Sequence, residues 1–124
     1  MYQKKYTAHV PQKPRIRCAF FCSDRGVEPV RDWLKGLEPD IRLEIGSDIE
    51  KVQWRWPISK PLVGAMGDGL YEVRTSVDGN IYRVFFCIIG DAMVLLHGFM
   101  KKTQKAPKRE LDVARARQKA VEES

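Results

Sequence analysis

The sequence predicts an α+β domain: a helical hairpin packed on a four-stranded, mainly antiparallel sheet, in the order β-α-α-β-β-β-α. Two observations carry that prediction. Val30, Trp33, Leu34 and Leu37, then Ile41, Ile45, Ile49 and Val52, repeat at helical spacing. Three later runs, Leu70–Val77, Ile81–Ile89 and Ala92–Met100, are β-branched or aromatic and are separated only by Asp78-Gly79-Asn80 and Gly90-Asp91. Asp-Gly and Gly-Asp between apolar runs are strong hairpin signals, so these runs form a three-stranded meander.

The elements follow in chain order. Residues 1–14 read as a basic extended arm, because Pro11 and Pro14 interrupt regular structure. Ile16–Cys22 is apolar and aromatic and ends at Ser23-Asp24-Arg25-Gly26, which predicts a buried strand. Pro29 opens a short helix. A break at Gly36–Pro39 leads to a second helix over about 40–54 that stops before Pro57. Residues 57–69 hold two prolines and three glycines and are expected to be a loop. After the meander, Pro107 suits a first helical turn, and residues 107–123 form a C-terminal helix with a thin apolar stripe of Leu111, Ala114 and Val121. The hairpin covers one sheet face. The other face has only this last helix, and a partly open sheet face is a natural place for a ligand.

At 124 residues the chain is long enough for one domain and its core, and residues 1–124 are taken as that domain. The longest apolar run, Val84–Ile89, has six residues, too few to cross a bilayer. With no apolar block near Met1 and an odd count of three cysteines, the expectation is a cytoplasmic protein with reduced thiols. The formal net charge of +6 is unevenly placed. Residues 1–17 carry five basic residues and no acid; residues 101–119 carry eight against Glu110 and Asp112. The stretch between them is mildly acidic. Clustered Lys and Arg attract phosphates, so a polyanion is the first partner to consider; an acidic protein or a merely solvated face are the others.

No phosphate loop, zinc-protease helix, nucleophile elbow or Cys-x-x-Cys pair is present. Cys18, Cys22 and Cys87 read as buried thiols rather than metal ligands, and no metal or other cofactor is expected. The remaining chemistry is cationic. If Asp78-Gly79 is a two-residue turn, Arg74 and Arg83 face each other across adjacent strands. Like charges so placed destabilise a sheet unless an acid neutralises them or a phosphate lies between them. Glu72, two residues away on the same face, is a candidate acid. His97 is either a hydrogen-bonded core residue or a proton-transfer group. Trp54, Trp56, Tyr71 and Tyr82 either pack internally or stack on bases.

Gly69–Arg74, then Tyr82-Arg83-Val84-Phe85-Phe86, then Leu95-Leu96-His97-Gly98-Phe99-Met100-Lys101-Lys102-Thr103-Gln104-Lys105-Ala106-Pro107-Lys108-Arg109-Glu110 together resemble the RelE/ParE toxin superfamily, most closely its phage-derived, HigB-like branch of bacterial type II toxin–antitoxin modules. The resemblance spans about 69–118. It implies a small α+β domain, no cofactor, a cognate antitoxin of helix-turn-helix type, and metal-independent cleavage of mRNA on the ribosome. Carried onto this chain, it implies that Arg83 contacts the scissile phosphate, that Arg74 matches the arginine of the preceding strand, and that Lys101 or Lys102 supplies the basic residue after the last strand. RelE has lysines where this chain has Leu70 and Glu72, and a C-terminal tyrosine where this chain has none after Tyr82. The expected catalytic group is therefore Arg83, Arg74, His97 and Lys102, with His97 moving the proton. Lys101, Lys105, Lys108, Arg109 and Tyr82 are expected to bind mRNA or ribosomal RNA. The alternatives are a ParE-like inhibitor of DNA gyrase and a non-toxic nucleic-acid or protein binding module. No membrane partner is expected.

Overall fold

The computed structural model describes residues 13–101 and 107–124. Almost all of the expected N-terminal arm, with Lys102 and Lys105, lies outside the described residues. The elements are β1 (Arg17–Phe20), α1 (Pro29–Lys35), α2 (Pro39–Arg55), β2 (Val63–Gly67), β3 (Leu70–Val77), β4 (Asn80–Ile89), β5 (Ala92–Lys101) and α3 (Lys108–Glu122).

The sheet has five strands, not four, in the order β1-β5-β4-β3-β2. The added strand, β2, falls inside the segment expected to be a loop. It pairs antiparallel with β3 and carries a bulge between Ala65 and Gly67. Its connection is a second Asp-Gly turn: Asp68 and Gly69 have φ of 52° and 77°, nearly matching Asp78 and Gly79 at 49° and 82°. Positive φ at both central residues is the hairpin geometry whose twist fits paired strands. The Asp78-Gly79 turn sets the expected register, Val77 opposite Asn80 and Arg74 opposite Arg83. β1 joins the other side of the sheet, parallel to β5, and Arg17 donates from Nε and Nη2 to Asp91 at 3.0 and 2.9 Å. β1 ends at Phe20, so Cys22 lies beyond the strand and does not share a strand face with Cys18. All three cysteines are free.

Both helices of the expected hairpin form. Pro39 opens α2, and Ile45, Ile49 and Val52 are its buried stripe. They pack with Val30, Val63, Val73, Val84, Phe86 and Leu95 into the core on one sheet face. Trp33 of α1 rests on the backbone of β5, where a Cβ at residue 98 would lie 2.4 Å from its ring, so the position admits only glycine. The opposite face holds a second core of Leu70, Phe85, Cys87, Val94, Leu96 and Phe99, closed by Ala114 of α3.

α3 has little apolar surface to bury, and polar ties supplement it. Arg115 donates to the Met66 and Gly67 carbonyls at 2.9 and 2.8 Å, Arg117 to the Leu96 carbonyl at 2.8 Å, and Gln118 to the Asp68 carbonyl at 2.7 Å. Each bond anchors the helix to a main-chain carbonyl of the sheet or its turn. Among the described residues no helix is long and apolar enough to cross a membrane.

Candidate functional site

Alternation along β3 and β4 places Glu72, Arg74 and Arg83 on the α3 side of the sheet, because Val73 and Val84 belong to the opposite core. α3 is tied to Met66, Gly67, Asp68, Leu96 and His97. The two arginines lie farther along the strands, toward the Asp78-Gly79 turn. Glu72 is fully buried and joins them. Its carboxylate accepts from Arg83 Nη1 at 2.6 and 2.7 Å, and from Arg74 Nε at 2.8 Å. Glu72, the acid that the sequence offered for the pair, thus bridges both guanidiniums.

The two guanidiniums are not equivalent. The Arg83 side chain is 10% exposed, and that of Arg74 is 34% exposed. Arg83 Nε is buried without a hydrogen-bond partner. Lys101, also buried, joins the same electrostatic group. Burial first, and then the Arg83 charge, lower the Lys101 ammonium from the ordinary lysine range; Glu72 pulls the other way and Arg74 adds to the lowering. Three cations therefore gather around one carboxylate, and the cluster keeps excess positive charge beside solvent at Arg74. That is the electrostatics of an anion site.

His97 lies on the same face, two residues along β5 from Phe99, the partner of Arg83. Its ring stacks on Phe99 at 5.8 Å. Nε2 is 2.7 Å from Glu110 Oε2, so the tautomer that fits this contact carries its proton on Nε2. Nδ1 is then an acceptor, and Arg117 Nη1 lies 3.3 Å from it. Both nitrogens are engaged by α3, which joins the two readings of His97: it is a hydrogen-bonded residue with a carboxylate partner of the kind that orients a catalytic imidazole. Glu110 and Arg117 were not anticipated as its partners; the Glu110 carboxylate, early in the last helix, was the available signal.

Other expected contacts are rearranged. Tyr82 belongs to the opposite face, is 5% exposed and packs near Trp33, so it cannot stack on a base beside Arg83. Trp56 packs edge-on against Tyr71 and Phe86 at 5.0 and 5.7 Å, within the same core. Lys108 is exposed and paired with Asp112 at 2.7 Å; Arg109 is exposed near Glu110 at 3.8 Å. Arg115 and Arg117, by contrast, are turned onto the protein's own carbonyls, so the basic character of the last helix is partly spent internally. Among the described residues no three His, Cys, Asp or Glu side chains gather as a metal site requires.

A small α+β domain with three helices and a five-stranded, largely antiparallel sheet is roughly consistent with a RelE-like fold, differing from it in the number and order of strands. The family described as phage derived protein Gp49-like (DUF891) matches residues 32–119. The chain belongs to that family, a RelE-like toxin family. No curated protein matches the chain.

Proposed function

We propose that this chain is the toxin of a type II toxin–antitoxin module, of the HigB-like branch, and that it cleaves mRNA on the ribosome without a metal ion. The observation that carries the reading is the Arg74–Arg83 pair, opposed across β3 and β4 with Lys101 beside it. Family membership supports the toxin assignment and, with it, an antitoxin partner.

The chemistry has three requirements. A base must take the proton of the ribose 2′-OH, cations must stabilise the charge that grows on phosphorus, and a donor must serve the departing 5′-oxygen. An internal 2′-OH nucleophile restricts such a reaction to RNA. In this reading Arg74, with Lys102, meets the phosphate, while the buried Arg83 and Lys101 hold their charge beneath. His97 moves the proton: Glu110 fixes its tautomer, and Nδ1 exchanges the longer Arg117 contact for substrate. Lys105, Lys108 and Arg109 attract the RNA backbone.

Induced expression followed by primer extension on cellular mRNA tests this. Wild-type protein should produce discrete cuts and growth arrest, and Arg74→Ala should lose both. The burial of Arg83 favours a second reading, a ParE-like inhibitor of gyrase that acts by binding. Arrested replication with intact mRNA would establish that reading and reject the nuclease. Harmless expression of folded protein would reject both and leave a binding module.

A further inference from the structure

The paired arginines pose a problem that the strands do not solve. Directly opposed like charges push apart. Glu72 counters this with one shared atom: its Oε1 lies 2.6 Å from Arg83 Nη1 and 2.7 Å from Arg74 Nη2. A second observation comes from the neighbouring strand. Gly64 of β2 pairs with Glu72. A Cβ there would lie 2.9 Å from Arg74 Nη2 and 3.1 Å from Glu72 Oε1. The Gly64 backbone is not in the left-handed region, so what this glycine provides is space.

We propose that Glu72 and Gly64 are positioning residues of the anion site. The carboxylate fixes the separation of Arg74 and Arg83, and the glycine lets the Arg74 side chain reach the carboxylate, so Arg74 meets a phosphate with the Arg83 charge held at a set distance beneath it. The inference rests on the reading that this pair grips an RNA phosphate.

Gly64→Ala and Glu72→Asp test it, because neither changes the charge of the protein. Inorganic phosphate is titrated into nitrogen-15-labelled protein while the arginine Nε–H resonances are followed, and primer extension is run in parallel. Both variants should melt cooperatively, move the Arg74 Nε–H signal toward that of solvated arginine, and lose phosphate affinity and cleavage by roughly tenfold or more. Adding Gly64→Ala to Arg74→Ala should cost nothing further if the glycine acts through that arginine. Gly46→Ala is the control, since a Cβ there meets nothing within 4 Å. If Glu72→Asp does not fold, Gly64→Ala decides. Unchanged phosphate affinity in Gly64→Ala, or a wild-type protein whose arginine signals ignore phosphate, overturns the proposal. Phosphate affinity that falls in the variants, with cellular mRNA whole even in the wild type, upholds the positioning role and rejects only the nuclease.

Discussion

Arg74 and Arg83 are the same residue type at facing positions, yet removing them has unlike consequences. Arg83→Ala takes from the fully buried Glu72 carboxylate its bidentate partner and leaves it the hydrogen bond from Arg74, which is one-third exposed, a loss on the order of 3–5 kcal/mol. Arg74→Ala breaks a more solvated pair and should cost about 1 kcal/mol or less. Urea unfolding of the two variants should separate them by that margin, so Arg74→Ala is the cleaner probe of activity. The thiols give a second residue-scale outcome. Burial pushes Cys18 and Cys87 up to about 11, so roughly one in a thousand is ionised at pH 8. Iodoacetamide at that pH should label the exposed Cys22 first, and mass spectrometry of the intact protein should show a single adduct. The arginine pairing was legible in the sequence because the Asp78-Gly79 turn fixes the register. The burial of Glu72 was not, since it pairs with Gly64, a residue eight positions upstream in a strand that composition alone concealed.

At the scale of elements, α3 is the part whose docking depends most on polar contacts. Arg117→Ala leaves the part-buried Leu96 carbonyl without this donor, at a cost of about 1–3 kcal/mol, whereas Arg115→Ala costs less because water reaches the exposed Gly67 bond. Hydrogen exchange should then quicken in α3 while β3 and β4 keep their protection. Both helices of the hairpin and all three strands of the meander were readable, because period 3.6 and period 2 are separated by clear turn residues. β2 escaped for a physical reason. Two prolines and three glycines over 57–69 suggest breakage, but the prolines precede the strand and a glycine supplies its turn. The decisive signal was Asp68-Gly69, the same dipeptide that marks the next hairpin. The partners of His97 escaped because Glu110 and Arg117 stand 13 and 20 residues away along the chain, a separation no local pattern spans.

For the molecule as a whole, charge sets the outcomes. RNA affinity should fall steeply as salt rises from 50 to 200 mM, as expected when lysines and arginines displace counterions from phosphates; a flat salt response would be inconsistent with a phosphate grip. Stability should also decline in alkali. The Cys18 and Cys87 thiols ionise near 9 when unfolded and near 11 when folded, so their contribution is complete below pH 9 and lost as pH climbs from 9 to 11. Chemical denaturation across that range checks it. The strand order carries one more consequence. β5 lies between β1 and β4, so the earliest strand has no neighbour to pair with until β5 has been synthesised. During translation the nascent polypeptide therefore cannot close its sheet until Lys101 has left the exit tunnel, and Arg83 and Lys101 come together only then. The cationic cluster is thus completed only once β5 has emerged.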